Sequence, residues 1–241
     1  DNEQKKPLSI EHFEMINHKY PKLSVSENYR TLRTSILFSS PDKAPKAISF
    51  TSAFPQEGKT ATLVNTAVSF AQLNKKVLLI DADMRKPRLH KVFNLRILNG
   101  LSSFLTGKIY LDEAIKETKV KNLSVITSGP HPPNPVELMD TQRMRELIDT
   151  VKERFDYVFI DTPPVLAVVD SAIISSVADG TIFIIRMGKT SRKAYVNSIQ
   201  SLEKVNANII GVVYNEMKIR GRGYYSAEQH AYLGSYYEEK R

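Results

Sequence analysis

The chain has 241 residues, with 34 Lys+Arg against 26 Asp+Glu, a formal net charge of +8 and no cysteine. That length is ample for one domain with a sizeable core. No apolar run approaches the ~18 residues of a membrane span, and no signal peptide is visible. Without cysteine there are no disulfides, thiol nucleophiles or thiolate zinc sites, a usage that fits a reducing cytosol. The five histidines show no metal-ligand spacing. The basic balance asks for an acidic partner, for which nucleic acid, anionic lipid, ATP or an acidic protein would all qualify. The basic clusters at Arg85–Arg88, Arg186–Lys193 and Lys218–Arg222 lack the interleaved aromatics of a single-strand nucleic-acid platform, so they read as solvated faces and no nucleic acid is expected.

In chain order, residues 1–22 are polar, with one short helix near Ile10–Lys19. A second helix is predicted from Ser26, with Val25 as a hydrophobic staple before it. On it Glu27, Arg30 and Arg33 recur at i, i+3, i+6 and lie along one side. Periodicity alone reads this as an exposed charged face with internal ion pairs. Strands are predicted at 46–52, 76–81, 123–127, 156–161, 180–186 and 208–214. Helices are predicted at 59–73, 111–117, 141–154, 170–177 and 190–205. Apolar strands alternating with amphipathic helices indicate an α/β fold, a mostly parallel sheet with helices on both faces. Asn134-Pro135-Val136-Glu137 reads as an N-cap, a proline in the first helical position and a Glu completing a capping box, which explains that loop without a catalytic role.

The first strand runs into Ala53-Phe54-Pro55-Gln56-Glu57-Gly58-Lys59-Thr60-Ala61. Strand, loop ending in Gly-Lys-Thr, then helix is the context of a phosphate-binding loop. Backbone N–H groups and the helix dipole would face phosphate oxygens; Lys59 would neutralise the β- and γ-phosphates and Thr60 would ligate Mg²⁺. The loop is glycine-poor: Ala53 and Gln56 stand where glycines are common, leaving Gly58 alone. Two further strands end in carboxylates, Val77–Asp81 continuing to Asp83 and Arg85, and Tyr157–Asp161 continuing Thr162-Pro163-Pro164. Ligands of open parallel sheets sit beyond the strands' carboxyl ends, so Asp81, Asp83 and Asp161 should converge near Thr60, with Asp83 and Asp161 serving the metal. The competing reading is that these residues only cap helices. Arg85 either stabilises transferred charge or pairs with an aspartate.

Tyr224, Tyr225, Tyr232, Tyr236 and Tyr237 all fall in the last 18 residues of a chain with 11 tyrosines. Their neighbours are glycine, serine and glutamate, too few aliphatic groups for a core, so the segment is expected to be flexible. It reads either as phosphate acceptors or as an aromatic edge that packs on a partner. The domains expected are thus an N-terminal polar segment (1–22), a phosphate-loop domain (23–217) and a tyrosine-rich tail (218–241).

The phosphate loop, the Asp81-x-Asp83-x-Arg85 box, the Asp161-x-Pro163-Pro164 box, Glu27-x-x-Arg30-x-x-Arg33, the loop Thr127–Leu138 and the tyrosine tail occur in the order found in the bacterial tyrosine kinases of capsule and exopolysaccharide synthesis, and nearly the whole chain resembles that family. The resemblance implies a P-loop NTPase-like kinase using ATP and Mg²⁺, with Asp81 as the base that takes the tyrosine proton. It implies a ring, an octamer, assembled through Glu27, Arg30 and Arg33, in which tails are phosphorylated at neighbouring sites and the ring then breaks. It implies a transmembrane activator that holds the kinase at the inner face of the membrane, further tyrosine substrates and a cognate phosphatase. Asn215 ends the last strand, where relatives of the fold contact adenine. The rival readings are a partitioning or septum-positioning ATPase and an ATP-binding scaffold. The first carries a signature lysine at the position of Phe54, and the second does not need the full set Lys59, Thr60, Asp81, Asp83 and Asp161.

Overall fold

The computed structural model describes residues 15–19, 24–40 and 44–216. The tail tyrosines and most of the N-terminal polar segment lie outside them. The elements in chain order are α1 (Ile16–Lys19), α2 (Ser24–Leu37), β1 (Ala47–Ser52), α3 (Lys59–Ala71), β2 (Val77–Asp81), α4 (Leu89–Val92), α5 (Leu101–Leu105), α6 (Leu111–Ala114), β3 (Ile115–Glu117), β4 (Leu123–Ile126), α7 (Pro135–Met139), α8 (Gln142–Arg154), β5 (Tyr157–Asp161), α9 (Asp170–Val177), β6 (Gly180–Arg186), α10 (Arg192–Glu203) and β7 (Ile209–Asn215).

The strands form one sheet in the order β3-β4-β2-β5-β1-β6-β7. Every pairing is parallel except β3 with β4. The strands β1, β2 and β5 are buried along their whole length, which is why they read as continuous apolar runs. Successive residues of β2 point to opposite faces. Val77 and Leu79 join Leu63, Val64, Phe70 and Phe159 beneath α2 and α3. Leu78 and Ile80 join Leu101, Met144, Leu147, Val151 and Ile160 beneath α5 and α8. Phe70 packs tilted against Tyr157 and edge-on against Phe159, at centroid distances of 4.3 and 5.3 Å. Helices therefore cover both faces, the architecture expected from the alternation.

Three expectations are corrected, and two short helices were not foreseen. Helix α2 starts at Ser24, so Val25 lies within its first turn and is no staple before it. The helix predicted over 111–117 stops at Ala114, and Ile115–Glu117 instead adds an antiparallel edge strand. There Lys116 Nζ donates to Arg96 O, Leu98 O and Thr127 Oγ1 at 2.7, 2.6 and 2.9 Å, a tertiary anchor stronger than local helix propensity. Helix α7 does begin with Pro135, but no capping box forms; the Asn134 amide turns to Glu137 Oε2 at 3.1 Å. The short helices α4 and α5 carry too few turns to show a period.

Helix α2 lies on the helix that follows the phosphate loop. Arg33 Nη1 donates to Ser69 O at 2.7 Å, and the buried Tyr29 hydroxyl meets the Asn65 side chain. Glu27 and Arg30 form an ion pair one turn apart. One side of this helix therefore holds an internal ion pair and an anchor to α3.

Candidate active site

The loop between β1 and α3 is held by hydrogen bonds that replace missing glycines. Ala53 is buried with Val165, Phe183 and Ile185, where a small residue lets the strand end pack tightly. Gln56 takes a left-handed backbone (φ 63°), which for a non-glycine residue costs on the order of 1 kcal/mol. Gly58 also has positive φ (91°), which favours glycine, and a Cβ there would fall 2.0 Å from Asn215 Nδ2 and displace that amide. Ser52 Oγ donates to Phe54 O at 2.8 Å, and Phe54 N donates to Glu57 Oε2 at 2.8 Å. Phe54, Pro55 and Gln56 are exposed, whereas Glu57 is buried. Lys59 opens α3 and is 8% exposed, so it is more enclosed than a loop residue would be.

Sheet register brings the carboxylates together. Asp81 and Asp161 are direct partners on neighbouring parallel strands. Thr60 Oγ1 donates to Asp161 Oδ2 at 2.6 Å, which joins the phosphate loop to the end of β5. Asp81 Oδ2 accepts from Arg88 N and Leu89 N, each at 3.0 Å, where α4 begins. Asp83 Oδ1 accepts from Lys86 N at 2.9 Å. Of the expected aspartates, Asp161 meets Thr60, and Asp81 lies beside Asp161 in the sheet. Asp83 is near enough that its charge bears on both. Asp81 also does the capping work that the competing reading assigned it, at the start of α4, whereas Asp83 closes the turn ahead of that helix.

Burial dominates the electrostatics. Desolvation, then the charge of Asp161, pushes the Asp81 carboxyl well above the usual carboxylate range against the backbone N–H groups of Leu89 and Arg88. Asp161 is pushed up to about 6 by desolvation, opposed by Lys59 and the Thr60 hydroxyl. The Oδ1 atoms of both are buried without a hydrogen-bond partner. Buried carboxylates left this way are costly unless a cation compensates them. The bare Asp161 oxygen beside the Thr60 hydroxyl offers hard-oxygen donors, so these residues fit a divalent cation such as Mg²⁺, while the bare Asp81 oxygen is left to accept a proton.

The remaining candidates divide. Arg85 Nε donates to the buried Asp170 at 3.1 Å, which is the aspartate pairing left open by the sequence. Asn215 reaches the site through its amide, which donates to Glu57 O at 3.0 Å. Arg186, read as part of a solvated cluster, instead bridges Gln56 O at 3.2 Å and Glu216 Oε2 at 2.8 Å. Glu57 Oε1 bonds the Thr190 hydroxyl in the turn after β6. Sequence reasoning missed Thr190 and Arg186 as loop supports. A carboxylate inside a phosphate loop was the available signal, because its charge repels the expected ligand.

Against known proteins, residues 46–213 match the family model described as an AAA domain. The chain is similar to the tyrosine-protein kinase YwqD of Bacillus subtilis, 43% identical over 86% of this chain and 89% of that protein. Among solved structures it is similar to the kinase domain of the Escherichia coli tyrosine kinase ETK. That match has a TM-score of 0.83 and 35% identity, over 86% of this chain and 82% of the other. The septum site-determining protein MinD of Pyrococcus horikoshii, solved with Mg-ADP, shares the fold (TM-score 0.62, 22% identity, 76% of each chain). At that identity it speaks to architecture only, whereas the kinase relatives match sequence across most of both chains. The chain therefore belongs to the family of bacterial protein-tyrosine kinases.

Proposed function

We propose that this kinase transfers the γ-phosphoryl group of ATP to tyrosines of its own tail, between neighbouring subunits of a ring, and thereby regulates capsular or exopolysaccharide synthesis. The observation that carries the reading is the Thr60–Asp161 contact beside two bare buried carboxylate oxygens, at the first turn of the helix headed by Lys59. Loop N–H groups, the dipole of α3 and Lys59 would hold the phosphates. Thr60, Asp83 and Asp161 would hold Mg²⁺, which when bound neutralises phosphate charge. A phenol with a pKa near 10 keeps its proton at neutral pH. Asp81 has one oxygen fixed by two N–H groups and the other bare, which leaves one position free to take a proton. The tyrosine proton passes to Asp81, the phenolate oxygen bonds to the γ-phosphorus, and ADP leaves.

Assembly would use Glu27, Arg30 and Arg33, and adenine would lie near Asn215. A transmembrane activator would bring the domain to the inner face of the membrane; among the described residues no helix is long and apolar enough to cross one. Other tyrosine proteins and a phosphatase complete the partners. Incubation of the purified protein with Mg·ATP, followed by phosphotyrosine blotting, tests the reading. Release of inorganic phosphate with no phosphotyrosine would replace it with an ATPase.

A further inference from the structure

Glu57 is a carboxylate in the middle of a loop that receives polyphosphate, and it is 2% exposed. Its charge would repel the ligand, so its presence needs a compensating role. Both oxygens are engaged within the protein. Oε2 accepts from Phe54 N at 2.8 Å, and Oε1 takes the Thr190 hydroxyl. Thr190 Oγ1 in turn accepts from Arg186 N at 3.0 Å. The Glu57 carbonyl is held as well, by Asn215 Nδ2. Meanwhile the loop holds Gln56 in a left-handed conformation without a glycine's freedom. Such a conformation persists only where the surroundings over-determine it.

We infer that Glu57 and Thr190 form a clamp that pre-shapes this glycine-poor phosphate loop for nucleotide, making Glu57 a positioning residue whose bonds, rather than its charge, serve binding. The side chain spans the loop from Phe54 to the turn after β6 and so fixes the arc that contains Gln56. A loop ordered in advance loses less conformational freedom when phosphate binds, and its affinity rises accordingly. The inference rests on the loop being the nucleotide site.

The test is calorimetric titration of Mg·ADP into the full chain and its variants, which needs no turnover. Glu57→Ala and Thr190→Val should each raise Kd about tenfold, and the double variant should be no worse than the poorer single, because the two residues act as one unit. Glu57→Gln can still accept from Phe54 N and donate to Thr190, and it removes repulsion, so it should bind as tightly as wild type or tighter. The nucleotide-free melting temperature should fall in Glu57→Ala, Thr190→Val and their double variant, and beyond that fall the upward shift caused by Mg·ADP should shrink in these three and not in Glu57→Gln. Wild-type affinity in Glu57→Ala would overturn the clamp, as would Glu57→Gln binding as weakly as Glu57→Ala. Failure of wild type itself to bind Mg·ADP would instead overturn the nucleotide site.

Discussion

At the scale of single residues, the site is assembled from groups that are unfavourable until a ligand arrives. Lys59 sits at the start of α3 with little exposure, and Lys59→Met keeps the aliphatic stem while removing the charge. We expect that variant to stay folded in a thermal melt and to form no phosphotyrosine; wild-type labelling would end the kinase reading. Asp161 makes a prediction about pH. Its folded pKa is about 6 against an ordinary 3.8, so between those values the folded state holds the proton more tightly than the unfolded one. Stability of the metal-free, nucleotide-free protein should therefore fall as pH rises from about 4 to about 6, by at most roughly 3 kcal/mol. Asp81 is shifted in the same direction and adds to the effect. Asp161→Asn removes the charged form and should melt several degrees higher than wild type at pH 7, with Mg²⁺-dependent transfer lost. A lower melting temperature than wild type would refute the desolvation argument.

At the scale of elements, α2 and α3 are the pair to separate experimentally. The residues offered for assembly do not share one fate. Arg33 anchors α2 to the backbone of α3, whereas Glu27 and Arg30 pair with each other on the helix surface. Replacing all three together would confound assembly with folding. We expect Arg33→Ala to cost about 1–3 kcal/mol of stability, the range for a hydrogen bond from a charged group. The double variant Glu27→Ala/Arg30→Ala should lose about 1 kcal/mol or less, the upper range for a half-buried surface ion pair. It should still shift the light-scattering mass towards monomer. An unchanged mass would return Glu27 and Arg30 to the role of a solvated face.

At the scale of the whole molecule, β7 hands the chain to the tail at the rim of the site. Asn215 and Glu216 touch the loop directly or through Arg186. Among the described tyrosines, Tyr157 is buried, Tyr29 is half-buried, and Tyr195 packs on Phe183 at 5.7 Å. Tyr110 and Tyr214 are exposed, at 83% and 58%. These two are the internal controls for acceptor choice, since both are accessible on the surface. Changing Tyr224, Tyr225, Tyr232, Tyr236 and Tyr237 to Phe should keep Mg·ADP binding and remove most self-phosphorylation. It should also keep any assembly intact after Mg·ATP, whereas wild type is expected to dissociate as dianions accumulate. Mass spectrometry that finds phosphate chiefly on Tyr110 or Tyr214 would contradict the tail's role.

What could be read from the chain alone was whatever is written in neighbouring residues. Periodicity is local, so alternating strands and helices and the two-faced sheet were legible, and so was the loop ending at Lys59 and Thr60. The ends of β2 and β5 were equally plain, because a buried strand that stops at an aspartate needs no partner to be recognised. Folding alone decided which strand lies beside which. The order β3-β4-β2-β5-β1-β6-β7 puts Asp81 against Asp161, and Thr60 against a residue 101 positions away. It also closes Glu57 on Thr190 across 133 positions. No propensity encodes those contacts. They follow from burying both faces of one sheet at once, and that burial leaves the carboxylates desolvated and shifts their pKa values.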